Sequence, residues 1–242
     1  MTTKVPVELS STPGIVDGSN ATAITIDSSE DVTLAGHLVF ADSKNAKFGA
    51  GSDLQIYHSG SHSYISDQGT GNLHILTNHL SVHNAADDTI IFHANEGGII
   101  MPNQPAFSVT KNAYQSNIAT GGINVTWQTE IFDQNADFAS DTFTAPVTGK
   151  YQFNVSMRLN DVDSGAAYYQ THIRTSNRIY EIDLLDPTEF NGDLQFYTIQ
   201  GSILADMDAN DTAYISIYQS GGTAQSDVSY DTDTHFSGFL VC

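Results

Sequence analysis

Short apolar segments separated by turn-forming residues run through the middle of the chain and restrict the possible fold more than any other feature. Between residues 54 and 101, six such segments begin 7 to 10 residues apart, with Gly, Ser, Asn and Asp clustered between them. This spacing is typical of short β-strands joined by turns. No stretch shows a sustained helical period, so the sequence predicts an all-β chain. The segments are Leu54–Ile56, Tyr64–Ile65, Leu73–Ile75, Leu80–Val82, Ile90–Phe92 and Ile99–Met101.

These short strands carry too little apolar surface for one chain to build a core from them. Each offers two or three apolar side chains, and an isolated ribbon of this kind is marginally stable in water. Repetitive β-shafts meet this difficulty by winding three chains around a shared core. The sequence therefore predicts that residues 36–104 form a trimeric β-shaft.

The segments on either side differ from this middle part. Residues 1–35 are rich in Ser, Thr, Asp and Gly, which predicts an N-terminal arm that is either a solvated tail or an attachment segment that orders on a partner. Residues 105–242 hold most of the aromatics, and Tyr151, Phe153 and Val155 alternate with polar residues as in a half-buried strand. Eight or nine predicted strands in this segment fit a two-sheet sandwich or jelly roll.

The composition argues against several classes of protein. With 28 acidic and 8 basic residues the net charge is −20, whereas nucleic-acid binding needs clustered cations. The sequence has neither an apolar run of membrane-spanning length nor a secretory leader, so we expect no membrane insertion. The one cysteine, Cys242, permits no intrachain disulfide. The G-x-S-x-G, H-E-x-x-H and P-loop motifs are missing, and we expect no enzyme, although the many carboxylates leave a glycoside-hydrolase pair open.

Two motifs in the C-terminal half resemble the C1q/tumour-necrosis-factor-like family of trimeric jelly rolls. The segment Phe143–Phe153 reads F-x-x-P-x-x-G-x-Y-x-F, in which Pro146 ends one strand and Gly149 forms a corner. The segment Phe236–Leu240 resembles the closing strand of that family. The resemblance covers residues 105–242 and implies a homotrimeric C1q-like jelly-roll head. No collagen-like Gly-X-Y stalk precedes it, so animal immune recognition is not implied.

The closing strand also indicates where the subunits meet. Its two faces are both substantially apolar, which is typical of a strand that is covered on both sides. The second sheet of the sandwich would cover one face, and a partner subunit would cover the other. We therefore expect Phe236, Phe239 and Leu240 at the trimer interface.

The N-terminal half is similar to stretches that recur in tail fibres and other structural proteins of marine bacteriophages. The similar stretches are Ser11–Ile15, Asn20–Asp27 and Leu54–His58. This resemblance implies a tail fibre made in the bacterial cytoplasm and located in the virion. Its arm would dock on virion tail or adaptor proteins, and its head would bind a bacterial surface glycan or protein. A structural virion protein without its own receptor, such as a head decoration or collar fibre, and a surface-polysaccharide hydrolase remain alternatives.

Aromatic and acidic residues in loops of the head are the candidates for receptor contact. Aromatic rings with polar neighbours suit sugar or protein binding, because they offer flat apolar area beside a polar group. The candidates are Asp161, Asp163, Tyr168, Tyr169 and Tyr230. In an alternative interpretation, Tyr168 and Tyr169 are strand residues, one facing the core and one facing outward.

Two clusters could hold a metal ion. Asp206, Asp208 and Asp211 begin like an EF-hand loop but lack its glycine and its final glutamate, and they could hold Ca²⁺ or form a solvated turn. The resembled family sometimes binds calcium near its apex. His79 and His83 share one face of a strand, and in a threefold shaft they could bind a transition metal on the axis or face solvent.

Overall fold

The computed structural model describes most of the chain as antiparallel β-structure. The only helical element among the described residues is one 3₁₀ turn at Pro187–Glu189, which confirms the predicted all-β fold. Two compact units, Met1–Leu76 and Thr77–Cys242, make up the chain. The division falls inside the predicted shaft, and the predicted domain boundaries stay predictions. The residues that the structure describes are 24–26, 28–29, 31–34, 36–118 and 120–242.

The first unit contains a hairpin and a three-stranded meander. The hairpin pairs β1 (Ile24–Ile26) with β2 (Val32–Leu34). The meander runs through β3 (Asn45–Phe48), β4 (Leu54–His58) and β5 (Ser63–Asp67), each antiparallel to the next. Most of the predicted arm lies outside the described residues.

The second unit begins with another meander of the same kind. It consists of β6 (His79–His83), β7 (Ile90–Asn95) and β8 (Gly98–Ile100). Five of the six short apolar segments in the sequence thus lie in strands or continue one. The sixth, Leu73–Ile75, is irregular and exposed, so the prediction of a strand there was wrong.

The remainder of the second unit is a sandwich of two six-stranded antiparallel sheets. In the front sheet the order is β11-β9-β20-β14-β17, and β19 lies beside β14. In the back sheet the order is β12-β13-β18-β15-β16, and β10 lies beside β18. The strands are β9 (Ala106–Lys111), β10 (Gly121–Asn124), β11 (Thr129–Gln134), β12 (Phe138–Ala139), β13 (Thr142–Thr144), β14 (Gly149–Val162), β15 (Tyr168–Thr175), β16 (Ile179–Leu185), β17 (Leu194–Met207), β18 (Thr212–Ser220), β19 (Asp227–Val228) and β20 (Asp231–Leu240).

A cluster of aromatic rings fills the space between the sheets. The Phe107 ring centroid lies 5.0 Å from that of Phe143 and 5.0 Å from that of Phe236. Tyr151 and Phe153 are fully buried beside them, as the alternation in β14 predicts. The Tyr151 hydroxyl donates a hydrogen bond to a backbone carbonyl at 2.7 Å, so this buried polar group has a partner.

The glycine of the F-x-x-P-x-x-G motif is required by close packing of the C-terminus. A Cβ at Gly149 would lie 2.6 Å from a methyl carbon of Leu240 and 2.7 Å from the carbonyl oxygen of Cys242. The backbone of Lys150 hydrogen-bonds both Val241 and Cys242. The motif therefore marks the point where the last strand closes the sandwich.

Gly238 lies against the aromatic cluster and offers a direct test of its packing. A Cβ there would lie 2.6 Å from Phe153 and 2.8 Å from Phe107, so Gly238→Ala should destabilise the head by about 1–3 kcal/mol through overpacking. Gly122→Ala is the matched control, because its Cβ would make only an ordinary contact of 3.6 Å with Tyr218. Denaturant unfolding of both variants measures the difference, and equal stabilities would contradict the packing.

A buried lysine makes the stability of the head depend on pH. Lys111 is almost wholly inaccessible, and its Nζ donates to the Thr126 carbonyl at 2.8 Å. Burial lowers the pKa of Lys111 to about 8, although the nearby Asp141 partly opposes this. An unfolded lysine holds its proton to about pH 10.4, so between these values the unfolded chain binds more protons and stability increases with pH.

The head should therefore be more stable at about pH 9.5 than at about pH 7.5. Lys111→Met keeps most of the side-chain volume and removes the titrating group, so its stability should change little over the same interval. Urea unfolding at the two pH values measures the effect. The same increase in the wild type and in Lys111→Met would contradict the assignment to this amine.

Candidate functional site

The two ends of the sandwich differ in the chain segments that lie there. At one end, which we call the proximal end, the Leu240 N–H donates to the Pro105 carbonyl at 3.0 Å, so the chain joins and leaves the sandwich there. At the opposite end, which we call the distal end, the backbone of Lys111 in β9 lies opposite that of Asp231 in β20. Three loops also lie at the distal end because of the strand directions. They are residues 163–167, 186–193 and 221–226.

Asp163 and Tyr169 hold the distal loops together from inside. The Asp163 carboxylate accepts hydrogen bonds from the backbone N–H groups of Gly165, at 2.7 Å, and Thr223. Tyr169 is only 1% exposed, and its hydroxyl accepts from the Asp163 N–H at 3.1 Å and lies 2.7 Å from the Ser226 hydroxyl. Both residues were expected to contact a receptor. That prediction was wrong, because their polar groups are buried and used within the chain.

A second carboxylate joins the same loops at the surface. Asp193 accepts from the backbone N–H of Ser164 at 2.9 Å and from the Gln225 amide at 2.9 Å. These hydrogen bonds, that of Gln225 first, lower the pKa of Asp193. The carbonyl of Asp161 accepts from Gln225 as well, and Asp161 has a left-handed backbone with φ of 52°. The distal loops are thus cross-linked by hydrogen bonds rather than free.

Tyr168 points away from the core. Its ring stacks on that of Tyr218, with centroids 6.0 Å apart, on the outer face of the back sheet. One of the adjacent tyrosines faces the core and the other faces outward, which is the alternative that the sequence left open.

Exposed aromatic rings meet at the distal end of the front sheet. We call this group the distal patch and define it by the residues Tyr114, Arg158, Asn160, Phe196 and Tyr230. The rings of Tyr114 and Tyr230 lie edge to face with centroids 4.7 Å apart. The Arg158 guanidinium lies 5.2 Å from the centre of the Phe196 ring. Tyr114 is 45% exposed and Phe196 is 55% exposed, so the rings present apolar area to solvent.

Polar groups beside these rings keep unused hydrogen-bonding capacity. Asn160 is 9% exposed, and its amide donates to the Tyr114 hydroxyl at 3.3 Å. Arg158 forms an ion pair with Asp233 and donates to the Ser229 hydroxyl at 3.0 Å. The Asn160 Oδ1 and the Arg158 Nε are buried without a hydrogen-bond partner in the described part of the chain. Such atoms are costly unless something pairs with them.

Sequence reasoning found only Tyr230 in this patch. The other four members lie on three segments that are far apart in the chain. The register of the front sheet joins them, because Asn160 pairs with Phe196 on one side and with Asp227 on the other. The one signal in the sequence is that Arg158 and Asn160 occupy the outward positions of β14.

The acidic cluster lies at the proximal end, not at the distal apex where the family resemblance would place a calcium ion. Asp206 forms an ion pair with Arg178 at 2.5 Å. The Asp211 carboxylate accepts from the Asp208 N–H at 2.8 Å and from the Asn177 amide at 2.7 Å. In the described ranges no three His, Cys, Asp or Glu side chains are grouped as a metal site. Calcium binding here stays a prediction.

The two candidate histidines of β6 have separate partners. His83 Nδ1 lies 2.9 Å from an Asp87 carboxylate oxygen. His79 lies edge to face with His93, with ring centroids 5.0 Å apart. The predicted axial metal site requires three chains, so it also stays a prediction.

The residues that point outward from the closing strand differ from those that the sequence predicted. Phe236 is fully buried among the core rings, so its predicted role at the trimer interface was wrong. Phe239 points outward and is exposed, and Leu240 is partly packed against the core. Phe132, Leu204 and Phe239 are exposed apolar residues on the proximal outer surface of the front sheet, and we call these three residues the apolar face.

The register explains the shape of this face. Phe239 and Leu204 both pair with Gln152, one on each side of β14. In the next row toward the distal end, Phe132 lies at the edge of the sheet, and the other members are the polar residues Ser108, Ser237, Asn154 and Ser202. Within the described ranges no helix has the length and apolar character to cross a bilayer.

Comparison with known proteins finds one domain family and several solved structures that are similar to the sandwich. The sequence profile of the C1q domain matches residues 106–241. The globular domain of zebrafish complement 1qA protein is 20% identical, covering 57% of this chain and 98% of that one, with a TM-score of 0.43. Murine APRIL at pH 8.5 is 11% identical, covering 57% and 99%, with a TM-score of 0.41. No curated protein matches the chain.

Proposed function

Because this chain belongs to the C1q domain family, we propose that it is a homotrimeric virion fibre whose non-catalytic head binds a receptor on a bacterial surface. C1q and tumour-necrosis-factor-like domains form homotrimers and are typically non-catalytic binding domains. The assignment to a phage tail fibre rests on the resemblance of the N-terminal half to phage structural proteins. In this proposal the arm docks on the virion and the protein is located in the virion tail.

The observation that carries the assembly is the exposure of apolar side chains on the two meanders. Phe48, Ile56 and Ile65 are exposed on β3–β5, and Ile91 and Ile99 are exposed on β7 and β8. Among the described residues the buried apolar core begins at Phe107 and includes nothing from either meander. A three-stranded sheet needs a covered apolar face to be stable in water. Other copies of the same chain are the covering layer that we propose.

The apolar face of the head supports the same assembly. Phe132, Leu204 and Phe239 are large and exposed on one face of the same sheet, and Leu204 and Phe239 lie in one row on either side of Gln152. The polar row beside them consists mostly of serine, and small side chains allow two sheets to approach closely. We propose that a partner subunit packs on this face.

The solution mass tests the trimer. Light scattering should give three times 26.1 kDa for the wild-type chain. Leu204→Asp places a charge in each copy of the interface. The protein concentration at which half of the trimer has dissociated should therefore be about tenfold or more higher than for the wild type. Leu184→Asp is the matched control, because Leu184 is 56% exposed and Leu204 is 57% exposed, but Leu184 lies on the back sheet. A monomeric wild type would refute the assembly, and equal dissociation of the two variants would refute the interface.

Attachment to cells tests the receptor-binding role. The trimer would carry 3 × (−20) charges, so it is repelled by anionic cell surfaces until salt screens the repulsion. Labelled protein should therefore bind a subset of marine bacterial isolates, more strongly at about 0.5 M than at about 0.05 M NaCl. Absence of binding to any isolate would favour a structural virion protein, and release of reducing ends from purified surface polysaccharide would favour a hydrolase.

A further inference from the structure

We propose that the imidazoles of His79 and His93 together bind a divalent metal ion of the zinc, nickel or copper class within one chain, linking β6 to β7. This site differs from the axial site that the sequence suggested, because the partner of His79 is His93 rather than His83, and because one chain supplies both histidines. The inference goes beyond the proposed function and does not depend on receptor binding.

The antiparallel pairing of β6 with β7 brings the two rings together. His79 lies opposite Asn95 and Ser81 lies opposite His93, so the two histidines occupy diagonal positions on one face of the meander. Their ring centroids are 5.0 Å apart. Two imidazole nitrogens bound at about 2.0–2.1 Å to one tetrahedral ion place their ring centres about 5 Å apart. The strands therefore already hold the rings at the separation that a shared ion requires.

The ring nitrogens of His93 have unused coordinating capacity. Both are buried without a hydrogen-bond partner in the part of the chain that the structure describes. An unpaired buried polar atom costs free energy, and a neutral imidazole offers one nitrogen lone pair to a metal ion. On the other ring, the His79 Nε2 lies 3.3 Å from the Ser81 hydroxyl, which is a long hydrogen bond. Coordination would give His93 a partner and would displace only this weak contact of His79.

The exposed position of His79 gives a metal ion access to the pair. The His79 ring lies edge to face against that of His93, at an angle of 72°. The torsion that turns an imidazole about its Cβ–Cγ bond is broad, so an exposed ring can rotate toward a shared ion at small cost. Because the His79 ring is the one that lies against His93, the same rotation opens a path to the buried nitrogens.

The histidines lie on the more polar face of the meander. That face also carries Ser81 and Asn95, with Ile100 as its apolar member on β8. The opposite face carries Leu80, Val82, Phe92 and Ile99. A partner chain would gain more by covering this second face, since apolar area is removed from water there. Each subunit of the proposed trimer would then keep its own metal site, which predicts one ion per chain.

The donor atoms select the class of ion. Imidazole nitrogen suits Zn²⁺, Cu²⁺ and Ni²⁺, whereas Ca²⁺ and Mg²⁺ prefer oxygen ligands. Two histidines leave two tetrahedral positions for water or for the Ser81 hydroxyl. Within the described ranges no carboxylate forms a hydrogen bond that would orient either ring. We therefore expect an affinity below that of a structural site with four protein ligands.

Isothermal titration calorimetry of the full-length protein with ZnCl₂ tests the site, with excess Mg²⁺ present to occupy surface carboxylates. One Zn²⁺ should bind per chain. His79→Asn and His93→Asn should each weaken binding by about tenfold or more, because each removes one of the two imidazole ligands. His79 is exposed, so its replacement should leave the fold intact. His83→Asn is the matched control, because His83 lies on the same strand but pairs with Asp87, and it should leave Zn²⁺ binding unchanged.

Several results would overturn the inference. They are failure of Zn²⁺ to bind in the presence of Mg²⁺, undiminished binding in His79→Asn, and equal loss in His83→Asn. One ion bound per three chains would also overturn it, because the metal would then lie on an axis shared by the subunits. These measurements involve no cells, so failure of this site leaves the receptor-binding function standing, and failure to bind cells leaves the metal site standing.

Discussion

The burial of apolar side chains in water governs this molecule, and the two halves of the chain meet that demand differently. The head encloses Phe107, Phe143 and Phe153 between two sheets of one chain. The meanders β3–β5 and β6–β8 are single sheets that leave apolar side chains such as Phe48, Ile56 and Ile91 exposed. Large apolar residues in a one-layer sheet are stable only when another surface covers them. We therefore propose that partner chains cover the N-terminal half, and C1q-like domains, the family of the head, form homotrimers.

The head combines a rigid frame with two outer regions of different character. At the proximal end the last strand closes over Gly149, and the apolar face begins beside it. At the distal end the carboxylates of Asp163 and Asp193 tie three loops together. Loops that are cross-linked in this way hold neighbouring side chains in position, which reduces the entropy lost on binding. Assembly is thus proposed through the front sheet, on which the apolar face lies.

The sequence predicted the strands well because short-range signals define them. Alternation in β14 and the F-x-x-P-x-x-G-x-Y-x-F motif correctly indicated that Tyr151 and Phe153 are core residues. Alternation could not decide which face of β20 points inward, because both faces carry a phenylalanine. Gly238 held the missing signal, since it shares the face of Phe236 and leaves room for two core rings.

The site was harder to predict because it depends on register and not on local pattern. The distal patch joins Tyr114, Asn160 and Phe196 only through the pairing of β14 with its neighbours. Asp163 looked like a surface carboxylate, and only the packed structure shows that it satisfies two backbone N–H groups. Long-range pairing of this kind leaves no trace at fixed spacing in a single sequence.

Amide hydrogen exchange across β3–β8 in the full-length protein tests the central claim most directly. If partner chains cover the meanders, their strand amides should be protected nearly as well as those of β14 and β20, and this protection should be lost when the assembly is diluted until it dissociates. Rapid exchange throughout residues 45–100 in an intact assembly, with the head still protected, would contradict the account.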